Sequence, residues 1–281
     1  MFNNVRRKEK FTLHFATLAS GSSGNAILVG QDERSFLVDS GISMRSLLHN
    51  LTLLNVPPAQ VEGIIVTHEH IDHIKGVGAL ARKLKIPIYT SQAIWGEMEQ
   101  SVGKLADNQR IEVNNKFSCA GLEIEMFATS HDSRESYGLR IERRLPGQGV
   151  LALGIATDSG TITEEMHRCL KECDALVVEA NHDEDKLWQG PYPWYLKKRI
   201  SSIYGHLANR QLAEGLLEWI GENTQRVVLA HLSEENNTPE IALATVVRAL
   251  RASRPIRKNK DLRLRVAPRH TPHELIVLRE N

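Results

Sequence analysis

Three imidazoles and the Asp72 carboxylate crowd one short stretch, Thr67-His68-Glu69-His70-Ile71-Asp72-His73. It follows Gly63-Ile64-Ile65-Val66, an apolar, β-branched run that predicts a buried strand. After Lys75 and Gly76 comes an apolar-periodic run, Val77 to Leu84, that predicts a helix. A loop at a strand end can aim four such side chains into one small volume. An ordinary core has no use for them there, because burying them unpaired is costly. A divalent cation, or a pair of them, removes that cost by taking nitrogen and carboxylate lone pairs as ligands. The stretch therefore asks for a fold whose strands end in loops that meet at one point.

The rest of the chain offers such strands. Phe11 to Leu18, Ala26 to Val29 and Ser35 to Asp39 read as strands, the last two joined by a turn at Gln31-Asp32-Glu33. Ser43 caps a helix to Leu54, and Ser91 caps another after a strand at Ile88 to Thr90. Strands are expected at Leu122 to Ala128, Tyr137 to Ile141, Val150 to Thr157, Ala175 to Val178 and Arg226 to Ala230. Helices are expected from Thr163, over Asn209 to Ile220, and over Pro239 to Leu250. Two strand-rich blocks with outer helices predict an α/β molecule of two packed sheets covered by helices on both faces. We read residues 1–281 as one domain, with a core over 11–250 and a basic segment, 251–281, completing the sheet.

Three later strand ends carry further ligand types. His131 follows the run ending at Ala128, Asp158 follows Ala156-Thr157, and His231 follows Leu229-Ala230. With the first motif this makes seven candidate ligands: His68, His70, Asp72, His73, His131, Asp158 and His231. A lone His at a strand end is usually a hydrogen-bonded surface residue. Five in one topological position, with two Asp, suit two divalent ions sharing a carboxylate. Zinc fits the His-rich set, and manganese or iron fits the mixed His/Asp donors.

This pattern resembles the metallo-β-lactamase superfamily, over roughly Leu13 to Ala249. The resemblance implies a four-layer αββα sandwich with a dinuclear site at the edge of the two sheets. It implies that His68, His70 and His131 hold one ion, that Asp72, His73 and His231 hold the other, and that Asp158 bridges them. Oxygen-reducing branches have Glu where this chain has His70, which points to hydrolysis. Most true β-lactamases have Cys where it has Asp158, which points to phosphoesters. Glu179 and His206, in Val177-Val178-Glu179-Ala180 and Gly205-His206-Leu207-Ala208, match a pair that contacts the scissile phosphate in the ribonuclease Z-like phosphodiesterases. A carboxylate that holds an imidazole fixes its tautomer and readies it to donate a proton. The alternative is a structural His at a helix start.

Four longer strings resemble the YycJ/WalJ-type family of 5′→3′ double-stranded DNA exonucleases. They are Leu18-Ala19-Ser20-Gly21-Ser22-Ser23-Gly24-Asn25-Ala26, Glu179-Ala180-Asn181-His182-Asp183, Gly190-Pro191-Tyr192-Pro193-Trp194, and the run His231 to Pro239 that contains Asn236-Asn237-Thr238. In the first string Gly21 and Gly24 can bring backbone close to a ligand, while Ser22, Ser23 and Asn25 offer hydrogen bonds to phosphate. A polar hairpin is the competing reading. Tyr192, Trp194 and Lys198 belong to an aromatic-basic run that can stack on an unpaired base, or can plug the start of a helix. His182, Asp183 and Asp39 are placed behind the ligands. His14, His49, His167, His270 and His273 are read as structural or surface residues.

Charge and cysteine content set the context. The net charge is +1, with 41% hydrophobic and 25% charged residues, an ordinary globular balance. It hides a basic run from Arg248 to Arg269, including Arg254, Arg257, Lys258 and Lys260, and a second cluster at Arg6, Arg7, Lys8 and Lys10. Such faces attract polyanions, or simply stay solvated. No apolar run is long enough to span a bilayer, and no signal-peptide core follows the first ten residues. Cys119, Cys169 and Cys173, an odd number, argue for a reducing compartment. Cys169 and Cys173 with His167 form either a soft metal site or two thiols packed on a core-facing helix. The expectation is a cytoplasmic enzyme hydrolysing phosphodiesters through a metal-activated hydroxide, with Asp72, His206 and Glu179 catalytic and DNA as substrate. The alternatives are a phosphodiesterase for RNA ends or small cyclic phosphodiesters, and a binding protein with a vestigial metal site. Metal identity and oligomeric state stay open.

Overall fold

The computed structural model describes residues 12–147, 149–253, 259 and 261–279. Phe11, both the Arg6 to Lys10 cluster and the bases Arg254, Arg257, Lys258 and Lys260 lie outside these residues. The first half of the chain runs β1 (Thr12–Ala19), β2 (Ala26–Gln31), β3 (Arg34–Val38), α1 (Met44–Leu53), β4 (Val61–Ile65), α2 (Ile71–Ile74), α3 (Val77–Leu84), β5 (Ile88–Thr90), α4 (Gln92–Val102) and β6 (Arg110–Glu112). The second runs β7 (Lys116–Cys119), β8 (Leu122–Ala128), β9 (Tyr137–Arg144), β10 (Val150–Ala156), α5 (Glu164–Leu170), β11 (Ala175–Glu179), α6 (Glu184–Gln189), α7 (Trp194–Ile200), α8 (Asn209–Trp219), β12 (Arg226–Ala230), α9 (Pro239–Ala252), β13 (Arg263–Val266) and β14 (Ile276–Arg279).

The strands form two seven-stranded mixed sheets, in the orders β14-β1-β2-β3-β4-β5-β6 and β13-β12-β11-β10-β9-β8-β7, so β14 returns from the second half to complete the first sheet. β1 to β3 pair antiparallel and β3 to β6 parallel. In the other sheet β7 to β10 pair antiparallel and β10 to β13 parallel. Three apolar cores match the layers. One lies between the sheets, with Phe15, Phe36, Leu139, Leu153 and Val177. A second seats α1, α3 and α4 on the first sheet through Leu47, Leu80 and Trp95. A third seats α5, α8 and α9 on the other through Met166, Leu212, Trp219 and Val246. The molecule is therefore the expected α/β, helix–sheet–sheet–helix sandwich. Strands buried on both faces read as continuous apolar runs, as β10 and β11 do.

The helix starts follow their caps. Ser43, Ser91, Thr163 and Thr238 each accept a bond from the backbone N–H three residues on. The differences lie in short pieces. The histidine motif is half helical, since α2 carries Asp72 and His73 on one turn. Asp183, expected behind the ligands, instead caps α6 through Lys186 N–H. The thiols of Cys169 and Cys173 are buried, and His167 accepts from Trp219 Nε1 at 3.2 Å, so this group packs as core rather than gathering around an ion.

Candidate metal centre and its cleft

Parallel strands ending at the same level leave a crevice beyond their carboxyl ends. Here that crevice collects polar residues from both sheets. β3 leads to Asp39, β4 to His68 and His70, β8 to His131, β10 to Asp158 and β12 to His231, while Glu179 is the last residue of β11. Asp39, Asp158 and His231 have φ of 60°, 60° and 55°, the left-handed region that non-glycine residues avoid. Each turns its chain sharply at a strand end, a strain typical of functional sites. A close approach locks the floor. Asn25 N–H donates to the Asp72 carbonyl at 2.8 Å, Gly41 N–H donates to the Asn25 carbonyl at 2.8 Å, and a Cβ on Gly41 would lie 1.5 Å from the Asp72 carbonyl oxygen. Only glycine fits at position 41.

The donor atoms of four groups each lie within 4.8 Å of one another: His68, His70 and His131; Asp72, His73 and His231; His68, His73 and Asp158; and Asp158, Glu179, His206 and His231. The imidazoles are aimed from behind. His73 Nδ1 is held by Asp39 Oδ2 at 2.8 Å, His131 Nδ1 by the Gly205 carbonyl at 3.0 Å, and His231 Nδ1 by Glu179 Oε1 at 2.9 Å. A proton held at Nδ1 leaves the Nε2 lone pair for an ion, the arrangement that orients metal-binding histidines. His68 Nε2, His231 Nε2 and Asp158 Oδ2 are buried and make no hydrogen bond. Three orphaned donors in one buried cluster fit a cation.

Electrostatics agree with this. Burial holds His68 well below the usual imidazole range, and burial likewise lowers His131, so both present neutral nitrogens. Burial alone would raise Asp158, but His231 and His73 hold it well below the carboxylate range. His231 is raised to about 10, because Asp158, Asp72 and Glu179 outweigh its burial. Asp158, Asp72 and Glu179 thus gather negative charge around His231 of the kind a divalent cation would neutralise.

Glu179 is fully buried and binds four groups. Oε1 accepts from His206 Nδ1 at 2.7 Å and from His231 Nδ1 at 2.9 Å, while Oε2 accepts from the backbone N–H of Ser159 and of Leu207. Burial opposes its charge, yet His206 and His231 hold it at about 2. The paired Glu179 and His206 are thus in contact, and Glu179 also reaches a ligand candidate.

Above the cluster opens a cleft of about 250 Å³. His70, Asp72, His131, Asp158, His206 and His231 form its floor; Ser22, Asn181, Tyr192, Leu196, Arg199, Ile200 and Ser233 form its walls. Of the residues expected to bind substrate, Ser22 and Tyr192 line it. Ser23 is exposed beyond the lining. Asn25 faces inward, with Oδ1 accepting from Gly21 N–H and Nδ2 against Asp72 Oδ2 and His73 Nε2, so it braces the floor. Trp194 and Lys198 sit on the outer face of α7, with Lys198 Nζ 5.3 Å from the Trp194 ring. Arg199, bonded to Asp132, takes the wall position that the basic run had suggested for Lys198. Gly24 abuts Gly41 rather than a ligand, and Gly21 abuts Arg269.

The other strings tie the strand ends together. Asn237 Nδ2 donates to the carbonyls of Ala180 and Asn181, Asn181 Nδ2 to that of His231, and Ser20 Oγ accepts from His231 N–H. Lys197 is buried, its Nζ donating to the carbonyls of Trp188 and Gly190. These motifs hold the cleft's shape from behind.

A two-sheet sandwich with this His/Asp cluster at its strand ends defines the metallo-β-lactamase superfamily. The β-lactamase superfamily domain matches residues 34–232. The chain is 39% identical over 244 residues to exodeoxyribonuclease YycJ of Bacillus anthracis, covering 85% of this chain and 89% of that one. It is 36% identical over 240 residues to exodeoxyribonuclease WalJ of Streptococcus pneumoniae, covering 84% and 87%. Among solved structures, the metallo-β-lactamase fold protein YhfI of Bacillus subtilis superposes with a TM-score of 0.69 at 17% identity, covering 93% of this chain and 99% of that one. The chain belongs to the YycJ/WalJ family of the metallo-β-lactamase superfamily.

Proposed function

We propose that this chain is a metal-dependent phosphodiester hydrolase that removes nucleotides from the ends of double-stranded DNA, in the cytoplasm and in the 5′→3′ direction. The observation that carries it is the buried His/Asp cluster beside the Glu179–His206 pair, at the floor of a cleft with a basic wall residue. The names of the similar exodeoxyribonucleases support DNA as the substrate. His68, His70 and His131 would hold one divalent ion, and Asp72, His73 and His231 a second, with Asp158 between them. Zinc or manganese suits these donors. Bound ions supply Lewis-acid polarisation of the phosphoryl oxygens and an acidified water.

The chain's own groups do the rest. Asp72 reaches the cleft and orients the attacking water for in-line attack on phosphorus. His206 carries its proton at Nδ1 against Glu179 in the resting tautomer. At Nε2, which faces the solvent-filled cleft, it takes up a proton from water and gives it to the leaving oxygen, with Glu179 stabilising the transient imidazolium. Ser22 and Arg199 place the neighbouring phosphates.

The purified protein with Mn²⁺ or Zn²⁺, offered duplex DNA, single-stranded DNA, RNA and bis(p-nitrophenyl) phosphate, tests the reading. Duplex DNA is expected to be degraded from its ends. Asp158→Ala should release at least one ion and lower the rate by more than ~100-fold, beyond what loss of a group behind a ligand costs. Full metal content and near-normal activity in that variant would refute the site. Cleavage of RNA or the small ester alone would refute the substrate.

A further inference from the structure

Ten large hydrophobic side chains stand exposed among the described residues, and six of them belong to segments around the cleft: Ile71, Trp188, Trp194, Tyr195, Ile203 and Tyr204. Ile71, 62% exposed, lies between the floor residues His70 and Asp72, on the lip supplied by the first half of the chain. Tyr195, 75% exposed, adjoins the wall residue Leu196 on α7. Ile203 and Tyr204 precede Gly205, whose carbonyl holds His131, and the Ile203 carbonyl accepts from Ser130 Oγ at 2.7 Å. Trp188 and Trp194 continue outward with ring centroids 5.2 Å apart, and Lys198 sits over Trp194. Isolated exposed apolar residues need no explanation, but several on the segments that supply a polar cleft's lining mark an interaction surface.

The cleft itself limits what can enter. At about 250 Å³ it is on the scale of one phosphodiester with part of its sugars rather than of two paired strands. A duplex must therefore surrender its end before a phosphate reaches the floor. An unpaired base has two free π-faces, and aromatic side chains beside basic ones hold such bases by stacking whatever their sequence. Arg199 in the wall and Lys198 on the outer face of α7 supply the positive charge for the accompanying phosphates.

We infer that the aromatic rim of Tyr195 and Tyr204, with Ile71 on the opposite half's lip, unpairs the terminal nucleotides of duplex DNA and stacks on the freed bases. This selects the strand end that enters the cleft. The inference rests on the nuclease reading above and assigns strand separation to the protein surface, outside the metal centre.

The test compares Tyr195→Ala/Tyr204→Ala with wild type on two duplexes of one sequence, one fully paired and one with three mismatched pairs at the entry end. Both positions are exposed, and circular dichroism and metal content check that the variant is intact. Stacking on a single aromatic is commonly worth roughly tenfold in binding. The variant should therefore lose about tenfold or more in kcat/KM on both ends, since freed bases stack in either case, while its rate on bis(p-nitrophenyl) phosphate stays near wild type. Wild type should cleave the mismatched end faster, because no pairs have to be opened there. Tyr195→Phe/Tyr204→Phe should behave as wild type, since the ring and not the hydroxyl stacks. No loss on either end, an equal loss on the small ester, or a wild-type rate that does not rise with the mismatches overturns the inference. A wild-type protein that cleaves bis(p-nitrophenyl) phosphate but neither duplex overturns the nuclease reading beneath it instead.

Discussion

Glu179 joins the two chemical parts of the site, because one of its oxygens faces both His206 and His231. Loss of that carboxylate should act through both imidazoles. His206→Ala is expected to keep its metals and lower turnover by roughly 100-fold or more, the usual range for a lost general acid. Glu179→Gln should be comparably severe, and the double variant scarcely worse than either, since coupled residues are not additive. Rates from the four proteins of that cycle that simply multiply would mean the two act independently. At this scale the sequence was most legible where a polar residue directly follows an apolar run, as with His131, Asp158 and His231. It was least legible where helical phase decides. Lys198 and Arg199 are neighbours in the chain, but only the register of α7 tells which one enters the cleft wall. The inward aim of Asn25 depends on a knot with Asp72 and Gly41, far apart in sequence, which no local pattern encodes.

Among elements, the long apolar or periodic segments were readable, and the short edge pieces were not. β6 has three residues and β7, β13 and β14 four each, too few to establish an alternation. These are the edges of the two sheets, where brevity and charge, such as Arg263 and Arg265 on β13, discourage pairing between molecules. Brevity does not make them dispensable. β14 pairs with β1 from Thr12↔Arg279 to Phe15↔Ile276 and places Leu278, fully buried, in the core between the sheets. Leu278→Ala is expected to cost about 2–5 kcal/mol, the usual range for emptying a packed leucine site. Denaturant unfolding measures this. A loss below half of the lower figure would show that β14 merely lies against the core.

Across the whole molecule the cluster ties the two sheets together, so its ions should contribute to stability as well as chemistry. Removing them with a chelator is expected to lower the melting temperature by several degrees. Free metal at ~100 times its dissociation constant stabilises a protein by about 2.7 kcal/mol. Re-adding Mn²⁺ or Zn²⁺ should restore the transition, and identical melting curves with and without chelator would count against a structural role for the ions. The pairing of the first described strand with the last has a further consequence, for the time when the chain is made. Ribosomes release a protein amino end first, so His68 to His73 emerge long before His231, and β1 waits for its partner until β14 has left the exit tunnel. A chain not yet extended to His231 holds at most six of the seven candidate ligands, lacks the one that completes the second set, and leaves the β1 edge without β14. Chains cut short by stalled translation or a premature stop before His231 inherit that condition, with the second ligand set incomplete and the sheet edge unpaired.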